Sequence, residues 1–273
     1  MNDHFENNTA HFEVKDNFDL EQTFSCGQCF RWEKNTDGSF SAVVGQTYCT
    51  VRKDGTHFQI KNIDESTVEQ WITYFDLDRN YDEIKDFLCS KCEKLTKAAD
   101  YAGGIRILAQ EPWETLCSFI ISQNNNIPRI RGIIDRLCRQ FGSPCGSSYT
   151  FPTAETLSKC TVEDLAPLRA GFRAKYIIDA AQKVASGQID FESLRNMPLT
   201  EAQNELRKIN GVGAKVADCT LLYGLHNLSA FPIDVWIKKA LSTAFKDLSP
   251  EIFQPYAGIA QQYIFHYMRL TNK

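Results

Sequence analysis

Residues 206–235, LRKINGVGAKVADCTLLYGLHNLSAFPIDV, read as helix, glycine turn, helix, loop and the capped start of a third helix. Gly211 and Gly213 bracket Val212. Glycine enters left-handed backbone freely and lets other groups approach closely, so a sharp turn with φ > 0 is expected inside a hairpin at about 206–225. The helix after it carries Lys215 in its first turn, where the helix dipole concentrates partial positive charge. A cation is disfavoured there, and a lysine helped toward its neutral form is a nucleophile. Cys219 lies four residues on, hence on the same helical face. Asp234, between Pro232 and VWIKKAL, falls at the N-cap of the next helix.

The bounds are those of an ordinary globular protein. At 273 residues the chain can hold one large domain or two small ones. No apolar run is long enough to span a membrane. MNDHFENNTAHFEV lacks the apolar core of a signal peptide, so an intracellular location is expected, with the ten cysteines mostly reduced. A net charge of −4 speaks against nucleic acid at first sight. Yet residues 1–100 carry 11 Lys/Arg against 19 Asp/Glu, and residues 101–273 carry 19 against 15. That asymmetry permits one half to face phosphate.

From His11 to about Lys61, QCFRWE, SFSAVVG, TYCTVRK and THFQIK, separated by Asp-Gly turns, predict an antiparallel meander. Residues 65–77 switch to helical spacing, with Val68, Trp71, Ile72 and Phe75 on one face, and a second helix is expected over 81–97. Helices then follow at roughly 113–124, 127–141, 161–168, 174–186, 200–209, 213–225, 235–245 and 255–270. Thr161 with Asp164 and Thr200 with Gln203 read as capping boxes, and Pro255 as a first helical position. The fold class is α+β: an N-terminal sheet domain over 1–105 and an all-helical body over 106–273. Cys26-x-x-Cys29 and Cys89-x-x-Cys92 have zinc-ligand spacing. The first pair sits in a strand-like run far from the second, so no metal is expected.

GVGAKVADC followed by FPIDV resembles the helix–hairpin–helix and trailing aspartate of the base-excision DNA glycosylases, in their lysine-bearing branch. Four further stretches fit in order. ISQNNNIPRI (121–130) resembles the segment that fills the hole left by an extruded base. GFRAK (171–175) resembles one that supplies an aromatic wedge and an arginine. SCGQCFRW (25–32) is similar to one whose glycine carbonyl reads the lesion, and GIAQQYIF (258–265) to one that contacts the base. Together they identify the chain as similar to the eukaryotic-type 8-oxoguanine DNA glycosylase/lyase family from about Phe12 to Arg269. Two departures stand out: Asn210 replaces a proline before the hairpin glycine, and Trp236 stands where many members have a phosphate-contacting histidine.

The resemblance implies a TBP-like sheet domain and double-stranded DNA containing 8-oxoguanine as the partner, bound by a monomer at no membrane. It implies a catalytic pair, Lys215 and Asp234, and a lesion pocket of Gly27, Cys219, Gln261 and Phe265. Asn124, Arg129, Phe172, Arg173, Gly211 and Gly213 would contact DNA and the opposite base. No cofactor is implied, although the hairpin could hold a monovalent cation. The cysteine cluster of iron–sulfur relatives is absent, since no cysteine follows Cys219. The setting would be cytoplasm and nucleoid in a prokaryote, the nucleus in a eukaryote. Two other readings stay open: a lyase-competent glycosylase for another damaged purine, or a non-catalytic hairpin that binds phosphate through backbone N–H groups.

Overall fold

Alternating apolar and polar residues over 9–61 do fold as an antiparallel sheet. The computed structural model describes residues 4–246 and 248–271. Among these, β1 (His4–Glu6), β2 (Thr9–Glu13), β3 (Glu33–Lys34), β4 (Phe40–Val44), β5 (Thr47–Asp54) and β6 (His57–Lys61) pair in the order β1-β2-β6-β5-β4-β3. The inner face buries Phe12, Val51, Phe58 and Ile60. Against it lie α1 (Leu20–Ser25) and α2 (Val68–Tyr74), through Phe24, Trp71 and Ile72. Phe75, just past α2, meets Phe58 edge to face with centroids 5.0 Å apart.

QCFRWE is mostly not a strand; only Glu33–Lys34 joins the ladder. The reason is that its side chains enter two different cores. Cys26 and Phe30 pack into the helical core, Cys29 and Trp32 into the sheet core. This crossing segment forms a seam between the cores, and Gly27 lies in it. Helix α1 was unexpected; Asp19 starts it by accepting from the Gln22 amide at 3.0 Å.

The rest is helical: α3 (Tyr81–Lys91), α4 (Glu93–Ala102), α5 (Pro112–Ser122), α6 (Ile127–Phe141), α7 (Ala154–Leu157), α8 (Arg173–Ala185), α9 (Phe191–Arg195), α10 (Leu199–Leu206), α11 (Ala214–Tyr223), α12 (Val235–Ser242) and α13 (Ala257–Thr271). A small hairpin, β7 (Pro144–Cys145) with β8 (Ser148–Tyr149), follows α6. The helix expected over 81–97 is broken at Cys92, whose backbone is extended. Buried residues of α3 and α4 belong to the helical core with those of α13, so a cut at residue 105 does not coincide with the division of the cores. Arg106 ties the two parts together: only 2% exposed, it pairs with Asp16 and donates to the carbonyls of Asp76 and Arg79.

Three local expectations need correction. Over 161–168, Thr161 and Asp164 do exchange capping bonds. Pro167, however, has no N–H with which to propagate an α-helix, and only a 3-10 turn forms over Ala166–Leu168. Thr200 and Gln203 make no capping box. Helix α10 starts at Leu199, and Gln203 donates instead to Asp218 at 2.5 Å. Pro255 precedes α13 rather than opening it.

Candidate active site

The hairpin is set by contacts to α8. Gly211 has φ +81, and a Cβ there would lie 2.3 Å from the Tyr176 ring, so both backbone and space require glycine. Gly213 differs from expectation. Its backbone is ordinary extended chain (φ −95, ψ −176) at the N-cap of α11, with no side-chain cap and open space where a Cβ would stand. Asn210, the departure from proline, is put to use. Its amide and its side-chain Nδ2 each donate to Asp179 at 2.8 Å, and Lys183 pairs with the same carboxylate at 2.6 Å. A proline would supply neither donor.

In the first turn of α11, Lys215 lines a small cleft of about 40 Å³. Gly27, Cys219, Asp234, Gln261 and Phe265 wall the same cleft, with Phe119, Tyr223 and Pro232. Chain segments more than two hundred residues apart thus converge, as the resemblance implied. Lys215 Nζ donates to Ser122 Oγ at 3.0 Å and stands 4.7 Å from the centre of the Phe119 ring. Asp234 is a true N-cap: Oδ1 accepts from the amides of Trp236 (3.0 Å) and Ile237 (2.9 Å). Burial pushes its carboxyl above the usual range, opposed by those cap bonds and by Lys215. The half-buried carboxyl thus lines the cleft while capping α12.

Burial pushes the Cys219 thiol up to about 12 despite Lys215. The thiol is neutral at physiological pH and acts as a wall rather than as half of a lysine–thiolate dipole. Gln261 is 3% exposed, and its Oε1 has no partner among the described residues. A buried unpaired acceptor is costly, so its place in the cleft wall marks a position for a ligand donor. Sequence reading missed Ser122 and Phe119, which the fold brings to the lysine, and Tyr223 and Pro232 as cleft walls. A larger open groove between residues 13–16, 77–80 and Arg106 includes none of the expected site residues.

The residues expected to face the opposite strand form a second group. Asn124 takes left-handed backbone at φ +47, in the loop between α5 and α6. Arg173 is 2% exposed and turned inward: Nε donates to the Gln123 carbonyl at 2.9 Å, Nη2 to the carbonyls of Gln123 and Asn124, and Nη1 to Ala170 at 3.1 Å. Without DNA it shapes the Asn124 loop, and it does not reach outward as expected. Burial and the neighbouring Arg129 charge push its guanidinium below its usual range. Arg129 is exposed, its guanidinium 3.5 Å from the Arg169 carbonyl among the described residues. Phe172 is 51% exposed, with the Arg173 guanidinium 4.5 Å from its ring centre.

Among the described residues no group of three or more His, Cys, Asp or Glu side chains could hold a metal ion, and no helix is long and apolar enough to cross a membrane.

A glycine hairpin opening a lysine-bearing helix, facing an aspartate-capped one across a shared cleft, defines the lyase-type class of helix–hairpin–helix DNA glycosylases. Two family models agree: "8-oxoguanine DNA glycosylase, N-terminal domain" matches residues 12–116, and "HhH-GPD superfamily base excision DNA repair protein" matches residues 117–247. The N-glycosylase/DNA lyase of Saccharomyces cerevisiae is 34% identical, over 81% of this chain and 66% of its own. A probable N-glycosylase/DNA lyase of Methanothermobacter thermautotrophicus is 30% identical, over 93% of this chain and 95% of its own. The 8-oxoguanine glycosylase/lyase of Clostridium acetobutylicum, solved with double-stranded DNA containing cytosine opposite 8-oxoG, superposes with a TM-score of 0.92 at 36% identity. It covers 99% of this chain and 98% of that one. The chain belongs to the 8-oxoguanine DNA glycosylase/lyase family of base-excision repair enzymes.

Proposed function

We propose that this protein flips 8-oxoguanine out of duplex DNA, preferably from opposite cytosine, excises it and nicks the strand. The convergence of Lys215, Asp234, Cys219, Gln261, Phe265 and Gly27 on one cleft carries this reading. A stacked nucleotide hides its sugar C1′, so it must be extruded, at a cost of a few kcal/mol. Phe172 would wedge the stack, and the open amides at the start of α11 would hold phosphate.

The Lys215 amine attacks C1′. The N–C1′ bond forms as the bond from C1′ to base N9 breaks, and its electron pair leaves with the base, which takes up a proton. Loss of the amine proton and opening of the sugar ring, with O4′ protonated, leave a Schiff base. The imine acidifies C2′: a proton leaves there, the C3′–O3′ bond breaks, and the strand is cut 3′ to the lesion. Water then hydrolyses the imine and frees Lys215. Asp234, engaged as a cap, supplies negative charge beside the oxocarbenium-like sugar.

For recognition, the Gly27 carbonyl would accept from N7–H of 8-oxoguanine, whereas guanine would oppose it with a lone pair. Gln261 Oε1 would accept from the Watson–Crick edge, with Cys219 and Phe265 sandwiching the ring. Arg129, joined by Arg173 once it leaves its carbonyls, would donate to O2 and N3 of the orphaned cytosine, and Asn124 would accept from its N4 amino group. One cleft carries every catalytic role, so the enzyme is read as a monomer, acting on intracellular DNA.

Base release measured on duplexes carrying 8-oxoguanine, alkylated purines, or adenine opposite 8-oxoguanine tests the reading. Release of 8-oxoguanine alone is expected. Preferred release of another base would replace it.

A further inference from the structure

The Gly27 loop carries a feature that the proposed chemistry does not by itself explain. Carbonyls around Gly27 are taken up by buried or half-buried side chains from distant parts of the chain. Arg269 Nη2 donates to Ser25 at 2.7 Å, Gln262 Nε2 to Cys26 at 2.9 Å, and Gln110 Nε2 to Gln28 at 2.8 Å. Among the described residues, the Gly27 carbonyl accepts from no protein donor. Gln262 is 1% exposed. Its own amide is oriented by Tyr223, whose hydroxyl donates to Oε1 at 2.5 Å. That fixes Nε2 as the end facing Cys26.

Gly27 needs such restraint. At φ +86 and without a Cβ, its flanking peptides could rotate cheaply. With the peptides before and after it pinned, the one between Gly27 and Gln28 cannot swing alone. A Cβ on Gly27 would stand at ordinary contact distance, 3.6 Å, from both the Phe265 ring and Arg269 Nη1, so it is the positive φ rather than lack of space that calls for glycine. The chain of contacts also links the helices that do the chemistry. Tyr223 belongs to α11, which carries Lys215 and Cys219. Gln262 and Arg269 belong to α13, which carries Gln261 and Phe265.

We propose that Gln262 and Arg269, with Tyr223 orienting the former, are positioning residues that aim the Gly27 carbonyl at the purine N7 edge and so determine selectivity for the oxidised base. The proposal rests on the lesion-reading role given above to Gly27. A carbonyl free to turn away would neither reward N7–H nor repel the lone pair of guanine.

Nicking of a preformed abasic site separates the effects, because that substrate has no base to read. Single-turnover excision of 8-oxoguanine opposite cytosine and abasic-site nicking are measured for wild type, Gln262→Leu, Arg269→Met and Arg269→Lys, with thermal melts as a check on folding. The ratio of excision to nicking is expected to fall about tenfold to a hundredfold in Gln262→Leu and about tenfold in Arg269→Met, the scale of losing one buried hydrogen-bond match. Arg269→Lys, which keeps a donor near Ser25, restores the ratio. Equal losses of both activities, or no loss in either variant, overturn the proposal. A wild-type protein that nicks abasic DNA but releases no 8-oxoguanine overturns the substrate reading itself, a separate result.

Discussion

The cleft wall leaves one buried acceptor unpaired among the described residues, whereas the polar groups around Asn124 bond one another. Gln261 Oε1 has no partner among the described residues, and Lys215 and Asp234 stand with it in the wall of one cleft. Arg173, by contrast, spends its guanidinium on the carbonyls of Gln123, Asn124 and Ala170. The fold alone thus brings the cleft residues together. In the role proposed for it, Arg173 would exchange these internal hydrogen bonds for bonds to a base. Such exchanges are near-neutral in energy, which suits a contact that checks the partner base without holding the enzyme on ordinary DNA.

Removing the cleft's reactive group should have the largest effect. Lys215→Gln keeps length and polarity but has no nucleophilic amine, so it should bind 8-oxoguanine duplex while losing excision. Residual excision near wild type would mean that water attacks. Asp234→Asn should come next. Asparagine caps a helix nearly as well as aspartate, so the melting temperature should barely move while excision falls by orders of magnitude. The raised Asp234 carboxyl adds a sign: as pH falls, excision should fail above the ordinary carboxylate range, because protonation removes the charge. A drop in melting temperature with activity per folded molecule preserved would reduce Asp234 to a cap.

On the other side of the comparison the effects should be smaller and selective. Arg129→Met should leave excision opposite cytosine largely intact while narrowing the preference over adenine or thymine, which is about tenfold to a hundredfold if each good contact discriminates by about 1–3 kcal/mol. Equal rates on all four opposite bases in the wild type would remove both arginines from base reading.

The two regions also differed in how far the sequence revealed them. Lys215, Cys219 and Asp234 were legible because local rules place them: a glycine turn, a four-residue helical step and a cap. Gly27, Gln261 and Phe265 could be named only through resemblance, since nothing local says that residues 27 and 261 meet. Ser122, Tyr223 and Gln262 were not legible at all, because their partners lie across the fold. The inward turn of Arg173 was equally hidden, as it depends on three carbonyls of neighbouring loops. In the fold, α6 was legible to the residue from its apolar periodicity and the Asn126 cap. Residues 28–32 misread as strand because alternation looks the same whether it serves two faces of a sheet or two separate cores.

The smallest expected effect lies just behind the nucleophile. Asp218 on α11 is buried, and that burial raises its carboxyl from 3.8 to about 6, opposed by the Gln203 bond. Its folded-state value exceeds the unfolded one, so the folded protein holds the proton more tightly, and stability falls as pH rises from about 4 to about 6. Asp218→Asn should flatten that part of the stability profile and leave excision unchanged. An identical profile in the variant would show that Asp218 is not the group responsible.

The most direct test of the cleft's role is to trap the intermediate and locate it. The wild-type protein is incubated with an 8-oxoguanine:cytosine duplex, reduced with borohydride, digested and mapped by mass spectrometry. The covalent sugar remnant should be found on Lys215, with no adduct on a guanine:cytosine duplex. An adduct on another residue, or base release with no adduct at all, would contradict the account.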